Sequence, residues 1–263
     1  MTRNFFSMTM LAMLTAAFVA CKDDDKNDDS KDENSLQIPE SVSLADSTVD
    51  LGLPSGTKWS KINIGATNPW DKGNYYAWGE VETKSDYSWG TYKHCNDSYR
   101  SLTKYCYDAS FGTADNKTTL EVTDNVATVV FGTDYTMPTI TDWNELSRQC
   151  YWVWTDNYYK QNVSGYIVYR AKSSRDKGVK VYKDNTSSPS YSLFDAHIFL
   201  PATGSREGSN LYNVQSGHYW SSNLDEANPR NAQYCFFTTG YAKPVSSNYR
   251  FKGFSVRPVR RTN

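Results

Sequence analysis

Apolar residues along this chain fall mostly into short runs separated by turn signals, with helical spacing confined to a few places. Val49-Asp50-Leu51-Gly52-Leu53-Pro54-Ser55-Gly56-Thr57-Lys58-Trp59-Ser60 reads as a strand, a Pro-Ser-Gly turn and a second strand, hence an opening hairpin. Gly73-Asn74-Tyr75-Tyr76-Ala77-Trp78-Gly79-Glu80 reads as a further aromatic strand, and residues 83–118, polar and rich in Tyr and turn residues, as a long irregular excursion. An excursion of that length is uncommon unless it is functional or pinned to the body. Pro138, a capping Thr139 or Thr141, Asp142 in the first turn and a face of Trp143, Leu146 and Cys150 predict a helix from Thr139 to about Gln149. A weaker signal predicts a short helix around Thr123 to Thr128. Tyr151-Trp152-Val153-Trp154, Gly165-Tyr166-Ile167-Val168-Tyr169 and Ala196-His197-Ile198-Phe199-Leu200-Pro201 follow as strands. Few helices among many short strands indicate an α+β domain, not an alternating βαβ fold.

The N-terminus has a different pattern. Arg3, the apolar run Phe5 to Val19 and the closing Ala20-Cys21 have the layout of a secretory signal, too short for a comfortable membrane span. Phe18-Val19-Ala20-Cys21 resembles a bacterial lipobox, which implies lipidation (palmitate) at Cys21; a conventional cleavable signal and an uncleaved anchor are the alternatives. Lys22 to Asn34 holds three lysines and seven acids and cannot bury a core. A Lys and acids directly after such a cysteine resemble the surface-export signal of Bacteroidota lipoproteins, implying the outer face of the outer membrane. The expected organisation is a signal peptide at 1–21, an acidic tether at 22–45 and one folded domain at 46–263.

Composition and charge narrow the chemistry. Twenty Tyr and eight Trp suit short strands and surfaces that stack on planar or sugar-ring ligands. The formal net charge is −1, and the acidic tether accounts for more than that, which leaves the folded part near neutral. It has no broad basic field of the kind that drives nucleic-acid binding, although Arg250, Lys252, Arg257, Arg260 and Arg261 make the end of the chain locally basic. Cys95, Cys106, Cys150 and Cys235 allow three disulfide pairings, a local Cys95–Cys106 bridge among them, or remain free buried thiols. None forms a CxxC pair, and His94, His197 and His218 lack zinc-ligand spacing, so neither metal nor cofactor is expected. GxSxG and P-loop patterns are missing as well, which disfavours an enzyme.

Six ordered blocks carry a family resemblance: Val49-Asp50-Leu51-Gly52-Leu53, Tyr75-Tyr76-Ala77-Trp78-Gly79-Glu80, Met137-Pro138-Thr139, Ile198-Phe199-Leu200-Pro201-Ala202, Gly217-His218-Tyr219-Trp220-Ser221-Ser222 and Gly253-Phe254-Ser255-Val256-Arg257-Pro258-Val259. Over residues 48–260 the chain resembles the Fibrobacter succinogenes major paralogous domain, abundant in Bacteroidota lipoproteins and similar to the C-type-lectin-like fold. The resemblance implies a compact frame whose C-terminal stretch, Asn223 to Arg250, presents a variable surface, as in the targets of diversity-generating retroelements. Trp220, Phe254 and Val256 belong to the frame; Ala232, Phe237 and Val245 look inward, and Asn231, Gln233, Tyr241 and Asn248 outward. Rigid Tyr and adaptable Asn, Asp and Arg have the composition of antibody loops. They make Asn223, Asp225, Asn228, Arg230, Asn231, Tyr234, Asn248, Tyr249 and Arg250 the candidate ligand-binding residues.

The expectation is a surface-exposed lipoprotein, an adhesin or receptor-like module recognising a glycan or a protein, with membrane contact through its lipid anchor only. A structural component of a cell-surface assembly is the alternative. A formylglycine-generating type of enzyme is disfavoured because Cys235 stands alone where that chemistry needs a cysteine pair. Glu226-Ala227-Asn228-Pro229 departs from the Glu-Pro-Asn element of sugar-binding lectins, which disfavours calcium-dependent binding.

Overall fold

The computed structural model describes residues 48–170, 180–186, 188 and 191–261. The residues predicted to form a signal peptide, a lipidated Cys21 and an acidic tether lie outside the described residues. The described chain opens on a hairpin of β1 (Thr48–Val49) and β2 (Lys58–Ser60), then runs irregularly to α1 (Val126–Phe131), β3 (Tyr135–Thr136) and α2 (Ile140–Gln149). Strands β4 (Cys150–Thr155), β5 (Gly165–Arg170), β6 (Lys180–Tyr182) and β7 (His197–Pro201) follow, then a small hairpin of β8 (Ser205–Glu207) and β9 (Asn210–Tyr212). Three longer strands, β10 (Gly217–Leu224), β11 (Asn231–Thr238) and β12 (Tyr241–Tyr249), precede the closing β13 (Val259–Arg260). Among the described residues strands dominate and two α-helices accompany them, an α+β architecture. No helix among the described residues is long and apolar enough to cross a membrane.

The sheets order as β1-β2-β13-β3, β6-β4-β5-β7, β10-β11-β12 and β8-β9. β13 enters between β2 and β3, pairing Val259 with both Trp59 and Thr136, so the end of the domain is tied to its start. The β4–β5 strands alternate strictly. Trp152, Trp154, Tyr166 and Val168 face a central core with Trp59, Trp143 and Phe237, while Tyr151, Val153, Ile167 and Tyr169 face a second cluster with Tyr158 and Phe199. Burial on both faces explains why these strands read as nearly continuous apolar runs.

α2 begins where the sequence predicts. The Thr139 side chain accepts from Asp142 N at 3.2 Å while an Asp142 carboxylate oxygen accepts from Thr139 N at 2.7 Å, a reciprocal cap. Arg261 adds a bidentate pair to the same buried carboxylate at 3.0 and 2.7 Å. The weaker helix is present as a 3-10 turn at Val122–Asp124 followed by α1, whose N-terminus is capped by Asn125.

The predicted strand at 73–80 is not a strand. Only Tyr76 bridges to Phe254, and Gly73 and Gly79 take positive φ of 68° and 80°, so the segment bends as it passes through the core. Its residues Tyr75 to Glu80 are buried on consecutive positions, which a strand with one solvent face would not allow.

The excursion at 83–118 is irregular, with short 3-10 turns at Trp89–Thr91 and Ala109–Phe111, and it is pinned. Tyr87, Tyr92, Cys95, Leu102 and Cys106 form their own buried cluster with Tyr75, Ala77 and Phe251. All four described cysteines are free and buried; Cys95 and Cys106 are not bridged, and their sulfurs lie 3.2 and 3.1 Å from the carbonyl oxygens of Trp89 and Asp108.

Candidate functional site

β11 is the centre of the C-terminal sheet, and its pairing with β12 sets Asn231 opposite Tyr249 and Ala232 opposite Asn248. β11 is buried on both faces: Ala232 and Tyr234 pack with Trp220 and Phe254, while Cys235 and Phe237 pack with Trp152 and Tyr219, and its register with β12 shifts between Tyr234 and Phe236. β12 ends the sheet, and its exposed Lys243 and the Pro244 beside it suit an edge that must not pair further.

The nine predicted binding residues divide by what their side chains already hold. Asn223 Oδ1 accepts from Ile140 N at 2.9 Å, satisfying an amide at the start of α2. Asp225 Oδ1 accepts from Ala227 N at 3.0 Å, and Asn248 Oδ1 from Tyr249 N at 2.9 Å; both are turn or strand-end contacts. Asn228 Oδ1 accepts from both the amide and the Nε of Arg230, at 3.1 and 3.0 Å, which orients that guanidinium. Asn231 Oδ1 is shut from solvent with no hydrogen-bond partner among the described residues.

Two residues are corrections. Tyr234 is 6% exposed, packed against Trp220 and Phe254 and stacked on His218, and belongs to the core. Arg250 is 0% exposed. Its Nε donates to the Tyr92 hydroxyl at 2.8 Å, Nη1 to the carbonyls of Tyr105 and Pro229 at 2.8 and 3.0 Å, and Nη2 to that of Lys104 at 2.6 Å. The predicted ligand contact is therefore an internal staple, joining the excursion to the turn before β11. A planar fork of five donors can meet several fixed carbonyls at once, which a lysine cannot. Arg257 plays the same part elsewhere, holding Asn63 Oδ1 and the carbonyls of Ser60, Lys61 and Phe199.

With the staple in place, the excursion and the C-terminal sheet share one surface. Tyr249, 41% exposed, stacks on Phe251 at 5.6 Å and meets the half-buried Trp89 at 6.1 Å. Trp89 in turn meets Tyr99 at 6.3 Å, and the Arg230 guanidinium lies 5.1 Å from the Tyr99 ring and 5.3 Å from that of Phe111. Five residues from two distant stretches thus form one aromatic and cationic row, with Tyr249 exposed and the other four partly open. Of the sequence candidates, Arg230 and Tyr249 are in it. Trp89, Tyr99 and Phe111 were missed; the signal was the Tyr-rich excursion itself, but nothing local says which rings face the sheet.

A buried ionic hub supports the excursion from beneath. Asp124 receives Lys104 Nζ at 2.5 Å, the Tyr105 hydroxyl at 2.8 Å and Lys93 Nζ at 3.1 Å. Burial alone would raise its carboxyl, but the two ammonium groups and the hydroxyl outweigh it and hold the pKa at about 2. His94 sits against the hub with Nε2 2.8 Å from the Gly79 carbonyl, and burial brings its pKa down to about 4. The thiol of Cys150 is pushed up to about 12 by burial, and that of Cys235 higher still, so neither is a poised nucleophile.

A second concavity, about 590 Å3, lies elsewhere on the domain between Lys61, Tyr158, Tyr159, Leu193 and His197. His197 Nδ1 faces the Asp195 carbonyl at 2.8 Å and so donates, which leaves Nε2 to accept from the Tyr158 hydroxyl at 2.8 Å. Tyr158 also stacks flat on Phe199 at 4.0 Å, so this pair is committed to packing. Among the described residues no group of three or more His, Cys, Asp or Glu is placed to hold a metal ion.

No known family model, curated protein or solved structure matches the chain.

Proposed function

We propose that the chain is a surface lipoprotein whose folded part is a C-type-lectin-like binding module, engaging a glycan or protein ligand outside the cell. The observation that carries the binding reading is the row of Trp89, Tyr99, Arg230 and Tyr249. Rigid rings of low conformational entropy and an oriented guanidinium, supplied by two segments far apart in sequence and fixed by a buried arginine, are pre-organised for recognition. The lectin-like fold is supported by the way blocks of the resemblance meet. Tyr76 pairs with Phe254, Trp220 stacks on Phe254 at 4.2 Å, and Tyr219 bridges to Ser255. Anchoring through Cys21 rests on the lipobox pattern alone. The raised thiols of Cys150 and Cys235 favour a binder over a thiol enzyme.

The test is a screen of the folded chain against immobilised glycans and cell-envelope extracts, beside the double variant Trp89→Ala/Tyr249→Ala. The reading predicts at least one ligand bound by the wild type and lost by the variant, with unchanged far-UV circular dichroism and a melting midpoint near wild type. A ligand bound equally by both places the site elsewhere.

A further inference from the structure

The chemistry of the row says what kind of ligand it fits, an inference that rests on the binding reading above. Two guanidinium groups lie against one ring: Arg230 at 5.1 Å and Arg100 at 5.5 Å from Tyr99. Arg230 uses Nε on Asn228, and its two terminal nitrogens make no hydrogen bond among the described residues. No ion pair joins an acid to either arginine among the described residues. Asp225 and Asp108, on the same two segments, turn a carboxylate oxygen to the backbone amides of Ala227 and Ser110 instead, at 3.0 and 2.9 Å. The result is two cations beside a single ring, neither paired with an acid among the described residues, Arg100 exposed and Arg230 partly so, next to the partly open Trp89 and the exposed Tyr249, which keeps one face on Phe251. A ligand that brings a planar anion to these unpaired forks gains bidentate, charge-assisted contacts.

We propose that the row takes an acidic saccharide, a sugar ring bearing a carboxylate, with the carboxylate on Arg230 and Arg100 and the ring's C–H face on Trp89 or Tyr249. The density of charge argues for carboxylate over sulfate. The folded part is near neutral overall and offers two free guanidiniums here, not the broad basic field that a densely sulfated polymer requires. The rigid rings argue for a sugar over an acidic peptide, because a flexible peptide pays ordering entropy that a pyranose does not. Asn228 is a positioning residue, holding the Arg230 fork in place.

The experiment is equilibrium binding of the full chain to polygalacturonate, alginate and hyaluronate, to the methyl esters of the same polymers, to poly-glutamate and to dextran sulfate. Methyl esterification should weaken the preferred uronate by about tenfold or more, and Arg230→Gln and Arg100→Gln should each do the same. Salt near 1 M, where the screening length is about 3 Å, should weaken the acid form and leave the ester unchanged. Equal binding of acid and ester overturns the inference while leaving the binding reading standing. So does tighter binding of poly-glutamate or dextran sulfate, or no uronate bound at all. Failure of the binding reading itself has another signature, a ligand of the wild type that the Trp89→Ala/Tyr249→Ala variant still holds.

Discussion

Replacing Arg250 by methionine removes the staple while keeping most of its aliphatic length. Four acceptors lose a charged donor, three of them backbone carbonyls, those of Tyr105 and Pro229 buried and that of Lys104 partly so. Each unsatisfied buried carbonyl costs about 1–3 kcal/mol, and relief of the desolvated charge returns part of that. The guanidinium also leaves the faces of Trp78 and Tyr92, at 5.5 and 5.1 Å. The net expectation is a loss of about 3–5 kcal/mol, a large fraction of the roughly 5–15 kcal/mol that holds a domain folded. Arg250→Lys should recover only a minor part, since one ammonium cannot reach acceptors fixed around a planar fork. Urea melts followed by tryptophan fluorescence measure this as a fall in the midpoint at unchanged slope. Hydrogen exchange should place the earliest loosening in residues 83–118. A loss below about 1 kcal/mol for Arg250→Met, in the absence of compensating water, would falsify the staple.

Further outcomes follow from the same contacts. His94 and His218 are both held neutral by burial, each with its pKa brought down to about 4 from an ordinary 6.5. The unfolded chain therefore binds protons that the folded chain does not between those limits, and stability should fall as pH drops from 6.5 to 4 by about 2–3 kcal/mol per histidine, with His94→Gln/His218→Gln flattening the slope. Asp124, depressed to about 2, stabilises above its ordinary 3.8 and loses that as pH falls towards 2, an additional loss of about 2 kcal/mol in acid melts. Asn223→Ala should cost about 1 kcal/mol by uncapping Ile140 N, measured in urea, and leave any ligand affinity unchanged. Gly112→Ala should be severely destabilising, because φ is +142° and a Cβ would stand 2.1 Å from the Leu102 carbonyl oxygen; wild-type expression and melting would contradict the geometry.

Local signals were enough for α2 and the β4, β5 and β7 strands. Pro138, Thr139 and Asp142 write a helix start within five residues, and the apolar runs of the central sheet are buried on both faces. The segment at 73–80 was misread because bulky aromatics suit a strand and a bent core crossing alike, and only the positive φ at Gly73 and Gly79 tells them apart. In the C-terminal stretch, polar identity did not report exposure. Arg250 looks like a surface residue because its acceptors, at 104, 105 and 229, are invisible from its neighbours. Tyr234 lies on the central strand β11 and faces the core, whereas Tyr249 lies at the end of the edge strand β12 and is exposed, and nothing in their neighbours separates the two. The basic run at the chain end is likewise partnered within the chain, with buried Arg257 on carbonyls, the partly open Arg260 on Asp134 and the exposed Arg261 on Asp142.

The central claim is that two distant segments make one binding surface, and single variants drawn from each test it most directly. Affinity for a ligand found in the screen should fall about tenfold or more in Trp89→Ala, from the excursion, and in Tyr249→Ala, from the strand, with melting midpoints near wild type. Wild-type affinity in either one would contradict a surface shared by both segments.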